Sequence, residues 1–172
     1  AEAAIEGGPE CRSLKSLLLP NATTAGLISI ITVLTYLPTM LGAYGISDDL
    51  FDLLTSTRDN TSLPNVAISG GRPLSGLVQE FALSLATDVA SLRWLRVVGV
   101  LGLVATGIIG ATIARSFGAR TTVQVLVGLG IVAMPSSQVI ASWAVLFPIS
   151  WGAALALATG FGLAALTVDS VR

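Results

Sequence analysis

Three aspartates and one arginine are the residues of this chain best suited to chemistry. Asp48 and Asp49 are adjacent in "YGISDDLFDLL" (residues 44–54), and Asp52 follows closely. In a helical segment, Asp48 or Asp49 shares a face with Asp52. Two close carboxylates can hold a divalent cation through oxygen ligands, so Asp48, Asp49 and Asp52 form a candidate metal set. A carboxylate can also serve as a general base where low dielectric or a neighbouring charge favours its protonated form. The structural alternative is a helix start. "SDDL" puts an N-cap serine before acids in the first turn, where the helix dipole favours them. Arg72 lies in "GGRPL". Its guanidinium fork matches phosphate oxygens, and the glycines beside it permit close backbone approach. Its structural alternative is a turn residue facing lipid headgroups.

Other chemistries are closed off by composition. The chain has no histidine, which removes the usual general base, the usual haem ligand and most zinc or copper sites. Its single cysteine, Cys11, excludes an internal disulfide or a cysteine metal cage. Net charge is −1 and no basic cluster is present, so no nucleic-acid partner is expected. Of 172 residues, 53% are hydrophobic and 11% charged, and mean hydropathy is +0.83. Soluble domains carry about 25% charged residues. The expected fold class is therefore an all-α integral membrane protein.

The charges mark out the elements that must position the acids. Ser16 to Ser47 is an uncharged run of 32 residues; Val97 to Ala114 lies between Arg96 and Arg115; Thr121 to Val168 holds no charge over 48 residues. As one helix the last would be about 72 Å long, against a hydrocarbon core of roughly 30 Å. It must fold back, and "MPSSQ" (134–138) supplies a break. About four transmembrane helices follow, at 24–45, 95–114, 122–138 and 139–167. A kinked or re-entrant third segment is the alternative. Pro38 is expected to kink the first span. The polar N-terminal segment 1–23, the loop 115–121 with Arg115 and Arg120, and the end 168–172 share one side. Arginine and lysine placement makes that side cytoplasmic, with a bacterial inner membrane favoured. The long loop 46–94 is then external.

That loop carries its own pattern. After a turn-rich stretch, Leu74, Leu77, Val78, Phe81, Leu85 and Leu92 recur at helical spacing. This predicts an amphipathic helix over about 74–92, lying in the membrane interface with Trp94 as an anchor. Packing on another protein domain is the alternative. Gly99, Gly102, Thr106, Gly110 and Ala114 form a small-residue stripe on the second span. Gly152, Ala153, Ala156, Gly160 and Ala164 form another on the last. Small residues let helix backbones approach closely in lipid. No span has an ionisable residue in its middle, which disfavours a pump or proton-coupled carrier.

"SDDLFDLL", "GGRPLSGLVQEFAL", "LRWLRVVGVLGLVATGIIGATIARSFGA" and "MPSSQVIASWAVLFPISW" together resemble the N-terminal part of GT-C-type membrane glycosyltransferases, in the bacterial glucosyltransferase-like branch. The resemblance covers roughly 30–165. It implies a polyprenyl-phosphate sugar donor as partner, alongside membrane lipids. It also implies an acidic first external loop in which Asp48 and Asp49 act as base or metal ligand. Arg72, on this view, lies near the donor phosphate. Such enzymes commonly have eight or more spans. The chain is therefore expected to be either a portion of a longer polypeptide or a shortened relative serving as a non-catalytic accessory subunit with a larger protein partner. A cofactor-carrying redox or light-harvesting subunit is the weakest alternative in the absence of histidine.

Overall fold

An apolar chain in lipid can satisfy its backbone only internally, and helices do so segment by segment. The structure, a computed structural model, describes residues 21–45, 49, 71, 73–86 and 88–170. Its elements are α1 (Ala22–Leu41), α2 (Pro73–Ser84), α3 (Leu92–Ser116), α4 (Thr121–Val132), α5 (Pro135–Ser142), a 3-10 turn (Ala144–Leu146) and α6 (Phe147–Ser170). Three stretches, Ala22–Leu41, Leu92–Ser116 and Ala144–Thr167, are long and apolar enough to cross a membrane. The pair α4 and α5, bent by 57°, makes a fourth if counted as one span.

α3 is the central helix and packs against α1, α4 and α6. Its glycines explain why. A Cβ on Gly107 would lie 3.1 Å from the Gly128 carbonyl oxygen, and one on Gly128 would lie 2.8 Å from that of Gly107. α3 and α4 thus meet backbone to backbone, with Ile28 of α1 wedged against both glycines. On the opposite side Gly99 faces Phe147, and Gly102 faces Ser150 and Trp151 of α6. Thr106 Oγ1 donates within α3 to the Gly102 carbonyl at 2.8 Å and reaches the Ser150 carbonyl at 3.3 Å. The predicted stripe on the second span is therefore shared between two neighbours. The stripe on α6 is different: Gly152, Ala153, Ala156, Gly160 and Ala164 are all exposed.

These contacts set directions. α3 and α6 run the same way, while α1 and α4 run against them. Tyr36 near the end of α1 donates through its hydroxyl to the Val132 carbonyl at the end of α4, at 2.7 Å. Gly42 and Trp143 therefore lie at one end of the bundle, with Arg115, Arg120 and the C-terminal end of α6 at the other.

The breaks fall elsewhere than at the sequence boundaries 122–138 and 139–167. α4 stops at Val132, and Pro135 begins a new helix that runs through residue 138 to Ser142. Proline lacks an N–H and is well suited to the first helical turn, so "MPSSQ" starts an element as well as ending one. The carbonyls exposed by the break are covered: Val132 by Tyr36, and Ile131 by the Ser137 hydroxyl at 2.8 Å. The chain turns at the extended residue Trp143 before α6.

The amphipathic helix is also shorter than 74–92. It ends at Ser84, and Ser91 donates its N–H to Asp88 Oδ1 at 2.8 Å while the Ser91 hydroxyl binds the Asp88 backbone. Such local side-chain bonds compete with helix hydrogen bonding. Leu83 and Ala86 pack with Leu92 and Ala144. The apolar stripe points outward instead: Leu74 is 74% exposed, Phe81 69% and Leu85 70%.

Candidate functional site

Arg96 sits in the second turn of α3, on the same stripe as Leu92, Gly99 and Leu103, and is fully buried. A guanidinium in that position needs acceptors on every edge. It finds them where two helices end. Nη1 donates to the Gly42 carbonyl at 3.1 Å, just past α1, and Nε to the Ser142 carbonyl at 3.1 Å, the last residue of α5. Nη2 donates to the Tyr44 carbonyl and to Asp49 Oδ2, the latter at 3.2 Å. The final carbonyls of a helix lack intrahelical partners and carry its negative dipole end, so two C-termini draw one cation. The Tyr44 ring lies against the guanidinium, 4.0 Å from its centroid to Cζ. Gly42 makes room for that ring, since a Cβ there would lie 2.7 Å from two of its carbons.

Asp49 completes the arrangement and is itself fully buried. Its Oδ2 accepts from Arg96, and its Oδ1 accepts from the Val145 N–H at 3.1 Å, in the 3-10 turn. The Val145 carbonyl in turn accepts from Gln79 Nε2 of α2 at 2.6 Å. One residue of the turn thus ties the amphipathic helix and the ion pair together. The whole cluster joins α1, α2, α3, α5 and the 3-10 turn at one end of the bundle.

Of the residues expected to do chemistry, only Asp49 lies among those described; Asp48, Asp52 and Arg72 lie outside them. Both Asp49 oxygens are directed at protein donors, a cation and an amide. That donor set fastens the carboxylate to the bundle. In the sequence Arg96 marks only the border of the second span. Its place on the buried α3 stripe was the available signal, because Arg93, three residues earlier, is exposed and stacks on Trp94 at 5.3 Å.

An all-helical bundle of three or four membrane-crossing helices, with a buried ion pair at one end, defines a multi-span membrane protein. Comparison of the chain with known protein families, with curated proteins and with solved structures gave no match.

Proposed function

We propose that this chain is the membrane-embedded N-terminal part of a GT-C-like transferase that moves a sugar from a lipid-phosphate carrier. Asp48 is the acid that attends the acceptor hydroxyl, and Asp49 is the residue that holds the acidic segment in position. The observation that carries this reading is the Asp49–Arg96 pair. Charged groups buried in a membrane bundle are costly and mark functional sites more often than not. Here one of two adjacent aspartates is held in a buried ion pair, and the acid–base role falls in this reading to its neighbour in sequence. Transfer from a phosphate leaving group needs a base for the hydroxyl and a cation for the departing charge. Asp48 and Arg72 supply those two groups from one external loop. The Arg115–Arg120 end is cytoplasmic.

Membranes containing the full polypeptide, supplied with a polyprenyl-phosphate hexose, test the reading. Asp48→Asn and Arg72→Ala are each expected to remove transfer while insertion is retained. Undiminished transfer by both variants would take these residues out of the mechanism.

A second reading, a non-catalytic subunit of a larger membrane complex, draws on α6. Its small-residue face is exposed, and Gly152 and Gly160 have nothing within 4 Å of an added Cβ. A partner helix is the natural cover for such a face. Mild-detergent extraction that brings down a stoichiometric larger partner supports it; a monodisperse monomer active in transfer rules it out.

A further inference from the structure

We infer that the bundle holds one diacyl phospholipid, its two chains in the paired grooves beside α2 and its phosphate on Arg93. The inference rests on the membrane location of the chain and not on the transfer reading. Two apolar grooves flank the same wall, formed by Val78 of α2 and Phe147 at the head of α6. The first, of about 540 Å³, is lined by Phe81, Leu85, Trp94 and Leu95 beside that wall. The second, of about 630 Å³, runs along Leu74, Trp151 and Leu155. Each has the size of a small-molecule site, and both are almost wholly apolar. Both start beneath α2 and follow helices, α3 and α6, that leave the Asp49 end in the same direction.

A cation lies next to the first groove. Arg93 is exposed and stacks on Trp94, one of the groove's own walls. Tryptophan favours the headgroup level of a bilayer, and a basic side chain there binds lipid phosphate. Two grooves sharing one wall, with the Arg93 guanidinium beside the first of them, match a molecule with two chains and one phosphate. A single-chain isoprenoid phosphate would fill only one of them.

Intact-complex mass spectrometry of the full chain in a mild maltoside tests this, with dioleoyl phosphatidylglycerol or its one-chain lyso form added. One diacyl lipid per chain should be retained. It should bind more than roughly tenfold tighter than the lyso form, because each further buried CH₂ adds favourable transfer. Arg93→Glu should weaken retention by about fivefold or more. Val78→Trp, which fills the shared wall, should abolish it at an unchanged helical content. Equal binding of diacyl and lyso forms, retention indifferent to both substitutions, a second protein copy in place of lipid, or no lipid at all would overturn the inference. Preferential retention of a one-chain isoprenoid phosphate would overturn it too while leaving the transfer reading intact. Loss of transfer with lipid still bound would do the reverse.

Discussion

Arg96 and Asp49 meet at 3.2 Å with neither side chain exposed to solvent. The pair is not an isolated attraction. Arg96 spends its remaining donors on backbone carbonyls at the ends of α1 and α5, and Asp49 spends its second oxygen on the 3-10 turn. Ion pairs removed from water repay their desolvation only when the other lone pairs and protons are also satisfied. That condition is met here by helix ends that needed a donor in any case.

The glycine seam between α3 and α4 makes a prediction with a built-in control. Gly128→Leu puts a side chain where the Gly107 carbonyl oxygen lies 2.8 Å from a Cβ, so backbone must move. Overpacking of this kind costs about 1–3 kcal/mol or more. Gly130→Leu, one turn-face away with nothing within 4 Å, should leave stability nearly unchanged. Thermal unfolding in detergent compares the two; equal effects would contradict the packing described.

Gln79 holds α2 to the turn that Asp49 also grips. Gln79→Ala removes the bond to the Val145 carbonyl. A typical hydrogen bond contributes about 0.5–1.5 kcal/mol, so amide exchange in α2 should speed up by about two- to tenfold. The amides of α4 should be unaffected.

Tyr44 depends on Gly42. A methyl at residue 42 would collide with the Tyr44 ring, so Gly42→Ala should displace the ring from Arg96. The expected loss is about 0.5–2 kcal/mol, the range of a cation–π contact. Tyr44→Leu should give a similar loss, and combining the two should add little. Additive losses in an unfolding assay would show that the ring and the glycine act separately.

The outward stripe of α2 should lie against lipid. With Cys11 replaced by serine, the chain has no other thiol. Single cysteines in place of Phe81 or Leu85, both strongly exposed, should carry a fluorophore that nitroxide lipids quench. A cysteine in place of Leu83, 1% exposed, should resist labelling.

Much of the bundle was legible in the sequence because charge and apolar run length decide it. The spans at α1, α3 and α6 follow from uncharged stretches, and the apolar face of α2 from the spacing of Leu74, Leu77, Val78 and Phe81. Element ends were not legible, since they turn on local bonds such as Asp88 with Ser91 and on Pro135 opening a helix. The role of Arg96 was hidden for a different reason. Its acceptors at Ser142 and Gly42 are 46 and 54 residues away, and nothing in "LRWLRVV" reveals that two helix ends converge there. Asp49 and Asp48 look alike as adjacent letters, and nothing in them reveals that the Asp49 carboxylate is directed into the bundle.

The most direct test is a double-mutant cycle on Asp49→Asn and Arg96→Met, read by equilibrium unfolding, with Asp48→Asn alongside. Breaking a buried pair from either side should cost about 3–5 kcal/mol, because the survivor is left buried and unpaired. The double variant should cost little more than either single one, and Asp48→Asn should leave unfolding unchanged. Losses that simply add, or a destabilisation by Asp48→Asn equal to that of Asp49→Asn, would contradict Asp49 as the fastener of this bundle.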